Sequence, residues 1–367
     1  GKITATAETY SCNANGGGNT TVGAAVAVAQ HNTKQDISVS ISGGTLKGVK
    51  ALSESNPQAN DPAPQVTMSI TGGTFDGEVT LTDVQKCVKG GTFKKGLDTS
   101  YLYSDKFADY AIDENGVVSK PDNVAKIDTS FYTSLAKAVA DVEDGGYIEL
   151  LCDCEGSGVM VDAANAKSFT IEFAGYSYTF TDPAVGSAGT ETQGFHFEKG
   201  CNITLMHGTL AAAEGNETVK MLVQNYGDLN LIAMVLDGTK LNGTGRYVLS
   251  NNSGNVVIED GFSIIAKEGD FALDSCKYGS YDAPTVTVKN TEITGDVELT
   301  GGKLTLDASA KLTGSIKVGK NFKDGDLTVA KASTLTAPEG YEWVENADGT
   351  WTVRAQCDPS GMILFIK

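Results

Sequence analysis

The feature that most constrains the fold of this chain is a repeated segment near its N-terminus. Residues 36–48 align without gaps on residues 65–77, and a shorter third copy follows at residues 88–93. Each full copy consists of an alternating apolar and polar run, a Gly-Gly pair and a further apolar residue. One such unit cannot bury its apolar face alone, so successive copies must stack on each other, which predicts a solenoid.

The repeat has the chemistry of strands joined by sharp corners. In the first copy Ile37, Val39 and Ile41 alternate with serines, so the apolar side chains share one face of a strand. Gly43 and Gly44 then allow a corner that includes a positive φ angle. The residues that we expect to continue this inward face in the two copies are Leu46, Val66, Met68, Ile70 and Phe75.

A looser series of short strands occupies the second half of the chain, at intervals of 18 to 34 residues. Intervals this irregular do not suit a propeller, but they suit solenoid coils whose loops differ in length. We expect five apolar residues to stack as an interior column: Ile203, Leu229, Val256, Val286 and Leu304. A first outward column should contain Thr170, Thr204, Asn230, Val257, Thr287, Thr305 and Thr328, and the next one Glu172, Met206, Ile232, Glu259, Lys289, Asp307 and Ala330.

Segments that can cover the ends of a solenoid follow or precede each series. Residues 133–142 form the best amphipathic helix, with Thr133 or Ser134 as its N-cap. Its apolar stripe is Leu135, Ala138, Val139 and Val142. Residues 110–119 and 340–354 each indicate a β-hairpin, with an Asn-Gly and an Asp-Gly turn respectively. A helix before the first coil and hairpins after the last ones would protect open sheet edges.

These features predict an all-β fold, a parallel β-helix with a short capping helix and terminal β-hairpins. We expect a first β-helical module over residues 1–120 and a second, capped module over residues 121–356. Residues 357–367 form a tail, which we expect to be a last strand or a terminal extension.

The charge of the chain and the lengths of its apolar runs each exclude one class of partner. The formal net charge is −18, and no basic stripe is present. Nucleic-acid binding requires such a stripe to displace counterions, so we expect no nucleic-acid partner. No apolar run reaches about 18 residues, so we expect no membrane insertion. Acidity of this kind suits a well-solvated surface outside the cell, and we expect that a signal peptide has been removed.

The cysteines do not form a recognisable disulfide or metal pattern. They number seven, an odd count, and Cys152 and Cys154 lie two apart in one strand-like run. Such neighbours present parallel side chains near the upper distance limit, so we expect no disulfide between them. A zinc site would need further ligands at suitable spacing, and buried thiols are the simpler interpretation. We expect no metal site and no cofactor, although calcium binding at an unspecified place stays open.

Parts of the sequence resemble known proteins. Residues 132–151 are similar to the N-terminal cap of pectin-lyase-like right-handed parallel β-helices. The Gly-Gly-Thr-Phe repeats and the hairpin at residues 340–354 resemble those of large repetitive surface proteins of Gram-positive gut bacteria. The resemblance implies a right-handed solenoid and a secreted or cell-surface location. It also implies a possible kinship with polysaccharide lyases and glycoside hydrolases, but the matching motifs are structural, so they say little about activity.

An enzymatic function was tested against the outward columns. A glycosidase needs two carboxyl groups about 5–10 Å apart. The columns contain no adjacent acidic pair, and Lys289 lies between Glu259 and Asp307, which indicates a charge ladder. Of the histidines, His196 should point outward, and neither His31 nor His207 has partners that suggest a nucleophile. We expect no catalytic residues, although three acids assigned to loops escape this argument: Asp182, Asp274 and Asp282.

Two functions therefore stay open. The first is a structural or adhesin-like surface protein that binds a glycan or a host surface protein, and the second is a polysaccharide-degrading β-helix enzyme. Ligand contacts should lie in the longest segments between coils, residues 181–193 and 275–283. The candidate contact residues are Tyr278, Tyr281, Asp282 and Asp182. The two tyrosines could stack on sugar rings, but they could equally cover the edge of a coil.

Overall fold

The chain folds into stacked parallel strands. The computed structural model describes residues 1–12, 21–30, 35–56, 66–261, 263–319, 322–330 and 335–356. It divides into two compact units, Gly1–Asp122 and Asn123–Lys367. Strands make up 53% of the chain, and together they form a β-solenoid of about 11 turns, which confirms the predicted parallel β-helix. Residues 16–18, His31 and the tail 357–367 lie outside the described residues.

The first unit contains one seven-stranded sheet and one small hairpin sheet. Its strands are β1 (Lys2–Thr4), β2 (Ser11–Cys12), β3 (Thr21–Val22), β4 (Ala24–Ala29), β5 (Ile37–Ser55), β6 (Val66–Thr80), β7 (Val88–Phe93), β8 (Ala111–Ile112) and β9 (Val117–Ser119). The large sheet runs in the order β1-β5-β6-β7-β9-β8, with β4 also paired to β5, while β2 pairs with β3. A 3₁₀ turn at Thr99–Tyr101 follows β7.

The register between the strands of this unit follows the sequence repeat. Strands β5 and β6 pair in parallel with Ile41 opposite Ile70 and Leu46 opposite Phe75, as the gapless alignment predicts. The third copy continues the stack, since Phe75 lies opposite Phe93. Their rings stack with centroids 4.5 Å apart and planes 10° apart. An aromatic pair of this geometry adds about 0.5–1.5 kcal/mol to the stabilisation from burial.

The second glycine of each repeat makes the corner. Gly44, Gly73 and Gly91 have φ angles of +90°, +108° and +119°, a region that residues with a Cβ rarely adopt. A Cβ on Gly91 would also lie 3.1 Å from the carbonyl oxygen of Gly73 and 3.3 Å from the Phe75 ring. The second glycine of each pair is thus favoured by the backbone conformation, and at Gly91 also by the close approach of the neighbouring coil.

The second unit has one short α-helix, α1 (Leu135–Asp141), a 3₁₀ turn at Ala163–Asn165, and many strands. The strands are β10 (Ala125–Ile127), β11 (Ser130–Tyr132), β12 (Gly146–Leu150), β13 (Cys154–Gly156), β14 (Val159–Val161), β15 (Ser168–Glu172), β16 (Ser177–Phe180), β17 (Gln193–Phe197), β18 (Asn202–Ala212), β19 (Met221–Asn225), β20 (Asp228–Asp237), β21 (Tyr247–Asn252), β22 (Asn255–Glu259), β23 (Ser263–Ile265), β24 (Phe271–Cys276), β25 (Thr285–Val288), β26 (Glu292–Thr294), β27 (Asp296–Leu299), β28 (Lys303–Leu306), β29 (Lys311–Thr313), β30 (Ile316–Val318), β31 (Leu327–Val329), β32 (Tyr341–Glu345) and β33 (Trp351–Ala355).

Two long sheets enclose the core of this unit. One sheet has seven strands in the order β14-β17-β19-β21-β24-β27-β30, which we call the short-strand sheet. The other has seventeen strands and contains the series recognised in the sequence, so we call it the main sheet. The predicted interior column is confirmed, because its members are successive register partners that are at most 1% exposed: Ile203, Leu229, Val256, Val286 and Leu304.

The predicted end elements form as well. Helix α1 packs against β10, β11, β12 and β14, and it buries Leu135, Ala138 and Val139. The Ser134 hydroxyl caps the helix by accepting a hydrogen bond from the Lys137 backbone N–H. At the other end β32 and β33 form the predicted hairpin, and β33 pairs antiparallel with β31. The hairpin of β8 and β9 covers β7 of the first unit in the same way.

Candidate functional site

The outer face of the main sheet is a flat, half-exposed surface. The first predicted outward column is confirmed in register, from Thr170 through Thr204 and Asn230 to Thr328. In the next column, Lys289 forms the expected ion pair with Glu259, with Nζ 2.9 Å from Oε2. Asp307 does not extend this ladder, because its carboxylate accepts hydrogen bonds from the turn that follows, at Ser309 and Ala310. The Asp307 carboxylate is therefore held by its own turn and not by Lys289.

The expectation that no acids are adjacent on this face is wrong. Strand β12 precedes the recognised series and places Glu149 directly opposite Glu172 on the next coil. Each carboxylate has its own partner: Glu149 forms an ion pair with Lys126 at 3.0 Å, and Glu172 Oε2 lies 2.8 Å from His207 Nδ1. The pair is therefore compensated by neighbouring basic groups, which explains how two carboxylates can lie side by side.

A second acidic pair, Asp274 and Glu298, lies on the outer face of the short-strand sheet. The series of strands recognised in the sequence did not include this sheet. Register partners along this face form a column that starts at Met160 and continues through polar residues: His196, Gln224, Ser250, Asp274, Glu298 and Lys317. Asp274, which the sequence assigns to a loop, in fact lies within β24 and is 7% exposed. The assignment fails because β24 has buried side chains on both faces and thus no apolar–polar alternation.

Burial sets the ionisation of Asp274. The pKa of Asp274 is raised to about 6, chiefly by the loss of hydration and also by the neighbouring Glu298 carboxylate, while a hydrogen bond from Ser250 opposes both effects. The Ser250 hydroxyl donates to Asp274 Oδ2 at 2.9 Å, and Tyr247 donates to Glu298 Oε2 at 2.7 Å. The two carboxyl groups thus differ in environment, with Glu298 held by a phenol and Asp274 sequestered from water.

A small cavity of about 190 Å³, which we call the tyrosine cavity, lies beside the short-strand sheet. Segments from several coils line it: Ser187, His196, Glu198, Lys199, Tyr226, Tyr278 and Tyr281. Both of the long segments between coils contribute, since Ser187 belongs to one and the last two tyrosines to the other. The turns after β17, β19 and β24 thus converge at one place because their strands lie close together in the short-strand sheet, with β21 between β19 and β24.

The three tyrosines contact one another edge to face. The ring centroid of Tyr226 lies 5.6 Å from that of Tyr278 and 6.3 Å from that of Tyr281, and those of Tyr278 and Tyr281 are 5.8 Å apart. Tyr278 is 56% exposed, so much of its ring is available to a ligand. The Tyr226 hydroxyl is fixed by a hydrogen bond from Asn252 Nδ2 at 3.2 Å. The cluster thus combines an ordered floor with an accessible aromatic rim.

His196 is a buried polar group at the base of this cavity. It lies between the inward residues Phe195 and Phe197, so it faces the outer side as expected, but it is only 2% exposed. Neighbouring turn residues cover it, including Tyr226, whose ring centroid is 5.6 Å away. Neither ring nitrogen has a hydrogen-bond partner within the described part of the chain. Burial lowers the His196 pKa, and the Glu198 carboxylate and the Gln224 amide partly oppose that effect.

The four candidate contact residues separate into two groups. The structure brings Tyr278 and Tyr281 together in the cavity, whereas Asp182 and Asp282 do not line it. Asp182 instead accepts hydrogen bonds from the Thr218 hydroxyl and from the backbone N–H groups of Glu217 and Thr218; these bonds lower its pKa and fix an adjacent turn. Asp282 is exposed at the surface.

Sequence reasoning did not identify Tyr226, Lys199 or Glu198 as members of a site. Each directly follows a strand of the short-strand sheet or lies within two residues of its end. This position can predict membership of a site, because residues that follow parallel strands of one sheet meet at the same edge of that sheet. It could be applied only if β17 and β19 were recognised as strands, and both have buried residues on their two faces.

Other classes of site were also sought. The six cysteines in the described ranges, which exclude Cys357, are all free. No group of three or more His, Cys, Asp or Glu side chains among the described residues is arranged to hold a metal ion. Within the same ranges, no helix has the length and apolar character needed to cross a membrane.

The fold and the cavity thus define a β-solenoid with an aromatic and polar site at the edge of one sheet. In comparisons with known proteins, no family model, curated protein or solved structure matches the chain. The function is therefore inferred from the geometry of this chain.

Proposed function

We propose that this chain is an extracellular or cell-surface binding protein whose solenoid presents a glycan-binding site at the tyrosine cavity. The observation that carries the proposal is the convergence of Tyr226, Tyr278 and Tyr281 from turns on separate coils around one small cavity. Aromatic rings offer sugars a flat apolar surface, and the hydroxyl, imidazole and ammonium groups around them offer hydrogen bonds. Concave sites of this composition are typical of small-ligand binding.

The surrounding scaffold supports this proposal. The site lies on turns held by a parallel sheet, and loops on rigid scaffolds are where binding residues concentrate. The formal net charge of −18 favours solubility outside a cell and disfavours nucleic acid as a partner. Kinship with pectin-lyase-like β-helices and with bacterial surface repeat proteins belongs to the same proposal; it rests on helix α1 and on the Gly-Gly repeats. A host surface glycoprotein could present the glycan.

The test is a glycan array followed by calorimetric titration of each ligand that binds. Tyr278→Ala should weaken binding at least tenfold, because it removes the most exposed ring of the cavity. Tyr176→Ala is the matched control, since Tyr176 is also an exposed tyrosine of this unit but does not line the cavity. Equal binding by both variants and the parent would place the glycan elsewhere, and a protein that binds no glycan on the array would refute the proposal.

A polysaccharide-degrading activity is the second candidate, and the Asp274–Glu298 pair is the observation that favours it. Adjacent coils of a parallel sheet are about 4.8 Å apart, which is near the carboxyl separation of retaining glycosidases. The raised pKa of Asp274 also suits a general acid. Against this, each carboxyl group already accepts a hydrogen bond from its own partner, Asp274 from the Ser250 hydroxyl and Glu298 from the Tyr247 hydroxyl. We therefore expect no cleavage.

This expectation is tested by incubation with pectins, alginate, glycosaminoglycans and mucin glycans, with and without calcium. Neither reducing ends nor unsaturated uronates should be released. Release that is abolished by Asp274→Asn but kept by Glu172→Gln would establish an enzyme at the short-strand sheet. Release that is abolished by Glu172→Gln but kept by Asp274→Asn would place the activity at Glu149 and Glu172.

A further inference from the structure

We infer that the tyrosine cavity selects a sugar that carries an anionic group, and that His196 takes up a proton when this group binds. The inference rests on the proposed function, because it names the ligand class of the same site. The anionic group would contact Lys199 and His196 while the sugar ring lies against Tyr278 or Tyr281. The relevant chemistry is a carboxylate or a sulfate on the ring.

Lys199 supplies a positive charge at the rim of the cavity. Its ammonium group lies 4.7 Å from the centroid of the Tyr281 ring, so the aromatic face positions it beside the opening. Within the described residues, no carboxylate forms an ion pair with it. Its charge is therefore available to a ligand, in a chain whose surface is otherwise strongly acidic.

His196 supplies the second contact and the sensitivity to pH. A buried polar group without a hydrogen-bond partner costs free energy, so the N–H of the neutral ring gains from a ligand oxygen, and the second nitrogen also becomes a donor once the ring is protonated. In the free protein burial favours the neutral imidazole. An anion bound beside the ring favours the imidazolium, since an opposite charge stabilises the charged form. Binding and protonation of His196 are therefore coupled.

The other groups around His196 are compatible with an anion. Glu198 is the one carboxylate within the cavity, and its Oε1 lies 3.7 Å from His196 Nε2. Its Oε2 accepts a hydrogen bond from the backbone N–H of Ala163 at 2.9 Å, so part of its charge is already compensated. Burial raises the Tyr226 pKa, so this phenol stays neutral and can donate a hydrogen bond. Glu198 thus helps to stabilise the imidazolium.

The experiment uses the full chain and matched sugars that differ only in charge. Methyl galactoside, its 6-sulfate and the corresponding methyl galacturonide are titrated calorimetrically, together with matched charged and neutral pairs for any sugar that binds on the array. We expect the charged member of a pair to bind at least tenfold more tightly than the neutral one. The sulfate and the uronate distinguish the two sources of charge. Lys199→Gln should reduce this preference, whereas Lys220→Gln, a lysine outside the cavity lining, should keep it.

The coupling to His196 is measured separately. Uptake of one proton makes the affinity rise as the pH falls, by up to about tenfold for each pH unit between the pKa of His196 in the complex and its lowered pKa in the free protein. Calorimetry in buffers with different ionisation enthalpies should detect the proton, and His196→Gln should abolish the pH dependence. Since this buried substitution could disturb folding, the histidine ring signals of the parent, three in all, are also titrated by NMR with and without ligand.

The outcomes separate the inference from the proposed function. If charged and neutral sugars bind equally, or if the affinity for the charged sugar is independent of pH, the inference is wrong but the cavity remains a glycan site. If no sugar of any charge binds to the protein, both are wrong.

Discussion

Replacing Asp274 by asparagine should stabilise the second unit at neutral pH. The parent carboxyl has its pKa raised from 3.8 to about 6, chiefly by burial, so ionisation is harder in the folded protein than in the unfolded chain. This group therefore has no effect on stability when both states are protonated, below about pH 3.8. As the pH rises toward 6 the unfolded chain ionises first, and folding stability falls.

The size of the effect follows from that difference in pKa. A factor of ten in an ionisation equilibrium is about 1.4 kcal/mol, so the buried carboxyl costs up to about 3 kcal/mol at pH 7 and above. Asparagine has nearly the same shape and cannot ionise, and its carbonyl oxygen can still accept the hydrogen bond from Ser250. Asp274→Asn should therefore be more stable than the parent by up to about 3 kcal/mol at pH 7.5, and nearly equal to it at pH 4.

Chemical denaturation followed by tryptophan fluorescence measures this difference. Trp343 and Trp351 are the two tryptophans of the chain, and both belong to the second unit, so the signal reports on the unit that contains Asp274. Asp282→Asn is the control, because it removes the same formal charge from an exposed position. A variant at Asp274 that is less stable than the parent by the same amount at pH 4 and pH 7.5 would refute the argument from burial.

Two further substitutions test the fold. Val139 is 2% exposed on the buried face of helix α1, so Val139→Asp should cost several kcal/mol of folding stability. The control Ala140→Asp, on the exposed face, should cost less than about 1 kcal/mol. Unchanged thermal stability of the Val139 variant would mean that the helix does not cover the core. Gly91→Ala should destabilise the first unit by about 1–3 kcal/mol, because φ is +119° and the added Cβ contacts a neighbouring carbonyl oxygen, while Gly43→Ala, with no atom within 4 Å of its Cβ, should be tolerated. Circular dichroism and hydrogen exchange would detect both effects, and equal destabilisation by the two glycine variants would contradict the role assigned to the corner.

The sequence predicts the fold well where its strands are amphipathic. In the first unit the alignment of two copies gives the strand register directly, since Ile41 must lie opposite Ile70 for both to remain in one interior column. The same reasoning gives the column from Ile203 to Leu304 in the second unit. Alternation is informative in these strands because one face is buried and the other is half-exposed.

The candidate site could be predicted only in part, for a physical reason. Tyr278 and Tyr281 attract attention as aromatic residues in a long turn, and they line the cavity. Tyr226 and Lys199 join them only because β17, β19 and β24 lie in one sheet. β19 and β24 are buried on both faces, so their residues do not alternate between apolar and polar in the way that identified the main sheet. Asp274 was assigned to a loop for the same reason.

The two outer faces of the second unit show why a site forms on one of them. On the main sheet the outward residues face solvent, so Glu259 and Lys289 pair at the surface, where an ion pair contributes little to stability. On the short-strand sheet the outward residues His196, Ser250 and Asp274 are buried although their positions in the strands are equivalent, and at His196 the turn residue Tyr226 contributes to the cover. Burial removes the water that would otherwise satisfy these groups and shifts their ionisation. A repetitive scaffold thus acquires polar groups that can gain from a ligand where its turns are long enough to cover a face.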